Sequence, residues 1–462
     1  MSRRDKHIAI IGGGPGGLFA AHQLMQQSVP PSQITLFEAS PRLGGKIRSE
    51  RFTTAGALFE AGVAELYHNL PGPDPLWDLV HGLGLRVVAM RGPSVVVDNQ
   101  FLYGPEDVER RLGRKTARAL QRFYQQCSRE RSPSDFCTWS TPKTNQHHLT
   151  RYDFDTYISQ VKDEKAKNYI RFLSHSDLAT EAHLTTALYG VDNVLIDAPE
   201  YCQLYSIEGG IERLPQALAQ SLRCDIRLGS PVTAIEAGVG RRHTPRYRLT
   251  VEPQHHREQA ETLDFDGVVL ALPVYFLPLI RWAGAQSGVD LHDAVMRHHR
   301  AYHRPAHYLR ITLLFREKFW QPQIADSYFE LDAFGGCTVY DESSRHDSGS
   351  IGALSLLLAG SHALVLNNLP DSVLIDRALR SLPWPASQTQ PLLLEARVHR
   401  WAGTVNALPG GQPIRGRRAR HLLGKHAFPG LVLVGDYLFD STVNGALASA
   451  QIGSRLLLDA LG

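Results

Sequence analysis

Six residues near the N-terminus, Gly12-Gly-Gly14-Pro15-Gly16-Gly17, have the types and spacing that seat an anion. They follow a short apolar run, His7–Ile11, and open a segment of helical periodicity, Leu18–Gln27. A G-x-G-x-x-G turn between a strand and a helix is the fingerprint of a dinucleotide site. In that reading Gly12 makes the tight turn, Gly14 admits a pyrophosphate to the backbone, and Gly17 lets helix and strand pack closely. The pyrophosphate rests on free N–H groups at the helix start, beside Pro15 and Gly16. Glu38 lies 21 positions after Gly17, at the end of a second strand pattern, Gln33–Phe37. Its carboxylate can accept both ribose hydroxyls and would repel a 2′-phosphate.

Two further groups extend this chemistry. Arg42-Leu-Gly44-Gly45-Lys46 follows Glu38 and Ala39 directly. Paired glycines beside basic side chains offer a second phosphate contact, with close backbone approach and neutralised charge. Near the other terminus, Leu431–Val434 reads as a buried strand that ends in Gly435-Asp436. Val443-Asn444-Gly445-Ala446 then opens a helix rich in small residues, where backbone can approach a ligand.

The elements that must position these residues can be read coarsely. His7–Phe37 is a βαβ unit. Between Pro71 and Pro199 the chain reads as helical and polar, with candidates at Leu76–Leu85, Glu106–Cys127 and Phe154–Leu173. Strand patterns recur near Val87–Tyr103 and at Ile226–Leu228, Val232–Ala237, Arg246–Val251 and Gly267–Leu272. Gln254–Gln259 reads as a polar loop. His307–Phe315 and Ile351–Leu358 read as strands of another sheet, and Thr442–Leu461 as a last helix. The expected fold is α/β and two-lobed. A discontinuous Rossmann-like domain takes residues 1–75, 205–275 and 395–462, and an α+β substrate lobe takes 76–204 and 276–394.

The run from Glu38 to Lys46 resembles the FAD signature of the flavin-containing amine oxidoreductases, most of which carry Arg at the place of Lys46. That superfamily includes monoamine oxidases, L-amino-acid oxidases, protoporphyrinogen oxidase and carotenoid desaturases. Phe59-Glu60-Ala-Gly62 is similar to its Glu-x-Gly element, and Glu208-Gly209-Gly210 through Leu214-Pro215 to its second glycine turn. Ser230-Pro-Val232 is similar to the strand whose valine backbone meets adenine. The resemblance implies FAD, with Asp436 on ribityl or pyrophosphate oxygens and the helix start at Val443 and Asn444 facing the flavin. It implies hydride transfer from a carbon beside an amine nitrogen to flavin N5. The imine then hydrolyses or rearranges, and O₂ or another acceptor takes the electrons. The alternative is a C–C dehydrogenase or desaturase of the carotenoid or protoporphyrinogen oxidase type.

Four positions mark where this chain departs from its relatives. Arg310 falls where many oxidases carry the lysine that holds a water near N5; it keeps the charge with another geometry. Glu65 stands where L-amino-acid oxidases often have arginine. A carboxylate there favours a cationic amine and repels an amino-acid carboxylate. Thr442 maps to one wall of the monoamine oxidase tyrosine cage, which it cannot form. Trp401, Tyr67 or Tyr437 can supply aromatic surface instead. No cysteine stands where monoamine oxidases bind flavin covalently, so non-covalent FAD is expected.

Composition limits what else the chain can be. It has 462 residues, 43% hydrophobic and 21% charged, with a net charge of +3. No strong field for nucleic acid or membrane follows, and the basic run Arg415–Arg420 is local. The five cysteines, Cys127, Cys137, Cys202, Cys224 and Cys337, are odd in number and lack C-x-x-C spacing. They suggest free thiols in a reducing cytoplasm and no zinc site. No signal peptide or apolar span is apparent, so a cytoplasmic enzyme without membrane insertion is expected. A small amine-bearing substrate is the expected partner, and a homodimer is compatible with it. His298, His299, His303 and His307 read as a soluble linker, because Pro305 interrupts helix.

Overall fold

A computed structural model of the chain describes all residues except 1–5, 71, 137–146, 239–245, 253–259, 347, 409–415, 417 and 425–426. Cys137, the Gln254–Gln259 loop and Arg415 therefore lie outside the described residues.

The apolar run Ile8–Ile11 is a fully buried strand. It pairs in parallel with Ile34–Phe37 on one side and Gly267–Leu270 on the other. Asp225–Arg227 and Leu431–Leu433 complete a five-stranded parallel sheet. Four of its strands are near-continuous apolar runs, as a sheet buried on both faces requires. The helices Pro15–Gln26, Arg213–Ser221 and Val443–Leu461 pack with it around Leu18, Leu24, Leu214 and Leu457. Three stretches far apart in sequence thus converge on one sheet.

The second large sheet has seven strands, with Pro305–Phe315 paired to both Gly352–Ala359 and Leu393–Asn406. Leu393–Asn406 spans the expected boundary at residue 395 and pairs with Pro305–Phe315 almost throughout. Next come Cys337–Asp341, Tyr328–Leu331 and Ser94–Val97. Side chains alternate across such a sheet. Leu309, Ile311, Val339, Leu356 and Phe329 fill an apolar core with Leu374, Ala378 and Trp384. The opposite face carries Arg310, Thr312, Tyr328, Glu330, Thr338, Tyr340 and Ser355, all buried. The helix Glu164–Leu178 lies over that polar face, where Ser176 Oγ donates to the Leu357 carbonyl at 3.1 Å.

Two helices come out in pieces. Glu106–Cys127 divides into Pro105–Leu112 and Arg114–Glu130 because Gly113 takes φ +94°. Phe154–Leu173 becomes Phe154–Ile158 and Glu164–Leu178, the second started by the Asp163 cap. The histidine linker is corrected: Leu291–Tyr302 is a helix with His298 buried. Pro305 breaks nothing, because it opens the next strand, where its missing N–H is tolerated. Among the described residues no helix is long and apolar enough to cross a membrane.

Candidate active site

The glycines of the first turn divide by what surrounds them. A Cβ on Gly12, at φ +108°, would lie 2.4 Å from the Ala271 carbonyl oxygen, and one on Gly17 would lie 1.9 Å from that of Gly12. Packing alone requires both glycines. Gly14 differs: its φ is −75°, and a Cβ would meet only Gly45 Cα, at 3.8 Å. Its bareness serves nothing inside the fold and leaves the start of Pro15–Gln26 open to an anion.

Glu38 is fixed beside this turn. Its Oε2 accepts from Gly13 N–H at 2.7 Å and its Oε1 from Ser40 N–H at 2.8 Å. Gly44 N–H donates to the Gly13 carbonyl at 2.9 Å, which lays the second glycine pair against the first. Arg42 donates to the Leu43 and Ile47 carbonyls at 2.8 and 3.2 Å and to Glu212 at 3.4 Å, so it shapes this loop from within. Lys46 pairs with Asp436 and donates to the Thr404 carbonyl at 3.2 Å. Thr442 caps Val443–Leu461: its Oγ1 accepts from Gly445 N–H at 3.0 Å and donates to Asp440 at 2.7 Å.

Gly14, Pro15, Gly16, Glu38, Ala39, Gly45, Lys46, Gly435 and Asp436 all keep accessible surface about the carboxyl ends of the parallel strands. Ligands bind there in open α/β sheets. Val232 is buried at the start of Val232–Ala237. Asn444 Nδ2 donates to the Tyr67 carbonyl at 3.2 Å, and its Oδ1 is buried without a partner among the described residues. The open helix start and this orphaned oxygen fit a dinucleotide whose far end reaches Asn444.

Beyond Asn444 the backbone of residues 60–64 is gripped by the second lobe. Glu342 Oε2 accepts from Glu60 N–H at 3.1 Å. Trp401 Nε1 donates to the Ala61 carbonyl at 2.7 Å, Arg310 Nη1 to Gly62 at 2.9 Å, and Arg345 Nη1 to Ala64 at 2.5 Å. Arg310 also donates through Nε to Ser355 at 2.7 Å and through Nη2 to Glu342 at 2.5 Å. It is 0% exposed, so it presents no surface to a bound water. What it holds is the segment that ends at Glu65.

Glu65 faces a wall of phenols and acids. Tyr67 donates to it at 3.1 Å. Farther in, Tyr328 donates to Asp197 at 2.6 Å and Thr338 to Glu330 at 2.9 Å. Asp177 is part-buried and Asp197 exposed, and both lie within electrostatic reach of Glu65. Asp177, Asp197, Glu330, Tyr328 and Tyr340 left no motif in the sequence. Their one signal is alternation, in which Tyr328 and Glu330 interleave with Phe329 and Leu331, and Thr338 and Tyr340 with Cys337 and Val339.

Burial pushes Glu330 up to about 8, against the Thr338 hydrogen bond and helped by Asp197 and Glu65. The protein packed around Asp197 likewise raises it to about 6, against the Tyr328 bond and helped by Glu65. Asp177 is raised by burial and by the other three acids. The cations on this side, Arg345 and Arg310, act on Glu65 and Tyr340. Tyr67, Tyr124, Tyr169 and Tyr308 and the thiols Cys202 and Cys337 also face these acids. Because the folded state holds protons that the unfolded chain releases near pH 4, what these acids contribute to stability is full at low pH and is lost as pH rises to about 6 and 8. The Glu330→Gln protein removes one such ionisation. Relative to it, the native protein should lose on the order of 2 kcal/mol between pH 5 and 8. Urea midpoints across that range test this, and parallel curves for the two proteins would disprove it.

Elsewhere, Glu130, His147 and His148 bring one ligand atom each within 4.8 Å of one another. Three ligands with His148 exposed do not close a structural zinc site.

Comparison with known proteins agrees with this geometry. Residues 15–458 match the model of the flavin-containing amine oxidoreductases. The flavin-dependent L-tryptophan oxidase of Lentzea aerocolonigenes is 23% identical and aligns over 99% of both chains. Human protoporphyrinogen oxidase is 39% identical over 99 residues, which cover 21% of this chain and 20% of that protein. A putrescine oxidase double mutant superposes with a TM-score of 0.72 at 18% identity, covering 99% of each chain. A match over nearly the whole length, with the fold to go with it, places this chain in the flavin-containing amine oxidoreductase family of oxidoreductase enzymes.

Proposed function

We propose that this protein holds FAD without a covalent bond and oxidises a small amine to an imine, with O₂ as acceptor. The observation that supports this most is the carboxylate of Glu65, set by the gripped 60–64 backbone beside a wall of phenols and acids. Such a wall attracts an ammonium and disfavours a carboxylate. When bound, the flavin supplies a two-electron acceptor for the carbon–hydrogen bond beside the amine nitrogen. The chain does the rest by placement. Gly14, Glu38, Lys46 and Asp436 would hold the dinucleotide, and Asn444 would meet its flavin end. Glu65 orients the amine, Trp401 and Arg310 fix the segment that carries Glu65, and Thr442 holds the start of the helix behind Asn444. An ammonium has no lone pair with which to expel hydride, so its proton must first pass to the Glu65 carboxylate or to solvent, after which no further base is needed. We divide the chain into a nucleotide domain and a substrate lobe, with the last boundary drawn after Asn406 because Leu393–Asn406 pairs with Pro305–Phe315.

The test is anaerobic bleaching of the flavin by alkylamines, L-amino acids and tetrapyrrole or polyene compounds. Amines are expected to bleach it. Glu65→Gln should lower kcat/KM for amines about tenfold, roughly 1.4 kcal/mol. Bleaching by amino acids alone would refute the reading. Bleaching by tetrapyrroles or polyenes alone would favour the C–C dehydrogenase instead, a reading to which the protoporphyrinogen oxidase segment lends support.

A further inference from the structure

We infer that Asp74 acts through Asn444 as a positioning residue. It ties the start of the helix Val443–Leu461 to the strand that follows Glu65, and so sets the flavin end of the cofactor against the amine-orienting carboxylate. This rests on the reading that FAD lies with its flavin end at Asn444. Asp74 is 3% exposed and stands where three elements meet. Its Oδ1 accepts from Leu76 N–H at 3.0 Å and Trp77 N–H at 3.1 Å, which caps the helix Pro75–Gly82. The same oxygen accepts from Asn444 Nδ2 at 3.4 Å. Its Oδ2 accepts from Asn69 N–H at 2.9 Å, at the end of the strand Leu66–Asn69. The same three elements share one apolar core through Leu66, Leu76, Val443 and Leu447.

A helix cap alone does not call for this residue. Serine, threonine or asparagine caps as well, and a carboxylate is costly beside an apolar core. Among the described residues no lysine or arginine pairs with Asp74, and the one basic group within reach is His68, whose Nδ1 lies 3.6 Å from Oδ2. The capacity that the cap does not need goes to Asn69 and Asn444, and a carboxylate makes both bonds stronger than a neutral acceptor does. Asn444 gains a fixed amide. Its nitrogen has two acceptors, Asp74 and the Tyr67 carbonyl at 3.2 Å, which settles which way the amide points. Glu65 comes two residues before Tyr67, and Asn444 is the second residue of its helix. A slack clasp would let these two parts shift, and a displacement of about 1 Å at reacting groups costs on the order of 100-fold in rate.

FAD affinity is measured by quenching of flavin fluorescence on the flavin-free full-length protein, in a cycle of Asp74→Ser with Asn444→Ala. Serine keeps the cap but is too short to reach Asn444. Asp74→Ser should weaken FAD about tenfold alone, and less than about twofold when Asn444→Ala is also present. Asp74→Asn keeps an acceptor without the charge and should weaken FAD only about threefold, again only where Asn444 is present. It carries the cycle if Asp74→Ser fails to fold. On the loaded enzyme, Asp74→Ser should lower kcat for amines about tenfold and leave KM within about twofold, since the amine-binding carboxylate is untouched. Equal weakening with and without Asn444, or native FAD affinity in Asp74→Ser, overturns the inference and reduces Asp74 to a helix cap. If Asn444→Ala alone leaves FAD affinity unchanged, the reading of where the flavin lies falls, and this one falls with it.

Discussion

Gly14→Val is expected to give a folded but colourless protein. Its Cβ meets no atom closer than Gly45 Cα at 3.8 Å, and φ −75° suits any L-residue. The cost to the fold itself should stay at or below about 1 kcal/mol. The cost to the cofactor is of another order. The side chain stands at the start of Pro15–Gln26, where the backbone must approach an anion, and it displaces the pyrophosphate from the first-turn N–H groups. Affinity for FAD should fall at least ~100-fold, about 2.7 kcal/mol. Gly17→Ala is the contrasting case. Its Cβ would sit 1.9 Å from a backbone oxygen, so fold and colour should be lost together. Both variants are compared with the flavin-free native protein, since bound flavin itself raises stability. Absorbance at visible wavelengths reports the cofactor, and circular dichroism with a melting curve reports the fold. A yellow Gly14→Val protein of native affinity would show that the dinucleotide lies elsewhere.

How far the sequence disclosed this molecule depends on the distance over which each feature is encoded. The nucleotide end is local. Gly17 answers a steric demand of the turn itself, where a Cβ would strike the Gly12 carbonyl, Gly14 leaves the helix start bare, and Glu38 follows at the length of a single βαβ unit. Such features survive in a linear reading, as did the apolar strands at Ile8–Ile11 and Leu431–Leu433. Helix breaks were legible in retrospect from Gly113 and the Asp163 cap, but periodicity ran across both. His298 misled because Pro305 was taken as a breaker within one segment, when it opens the next. The inner acids were not legible at all. Asp177 sits on a helix, Asp197 in the stretch after another, and Glu330 on a strand, and only tertiary pairing brings them within electrostatic reach of one another. Arg310 shows the same limit from the other side. Its identity and strand were read correctly, yet its partner Glu342 comes 32 residues later and carried no signal.

Arg310 therefore carries the second large expectation, and it concerns stability. Replacing it by methionine keeps much of the side-chain volume but leaves Glu342 charged, 0% exposed and short of its nearer cation. Glu342 is held below the usual carboxylate range by Arg345 and Arg310 against its own burial, so it will not readily take a proton instead. Arg345 remains, but at 3.8 Å and already donating to the Ala64 carbonyl. Breaking a buried pair from one side costs about 3–5 kcal/mol. Guanidinium denaturation of the flavin-loaded Arg310→Met protein should show a loss of that size. The double variant Arg310→Met, Glu342→Gln should recover a large part, because no uncompensated charge is left. Arg310→Lys should fall between: it keeps the charge but cannot reach Ser355, Gly62 and Glu342 at once with a forked geometry. Catalysis gives an independent check, since the lost bond to Gly62 frees the segment that aims Glu65. In Arg310→Lys, kcat/KM for amines should drop with KM rising more than kcat falls. A single variant as stable as the native protein would mean that Glu342 is neutral in the fold, and the grip on residues 60–64 would then rest on Trp401, Arg345 and the Glu342 oxygen that accepts from Glu60.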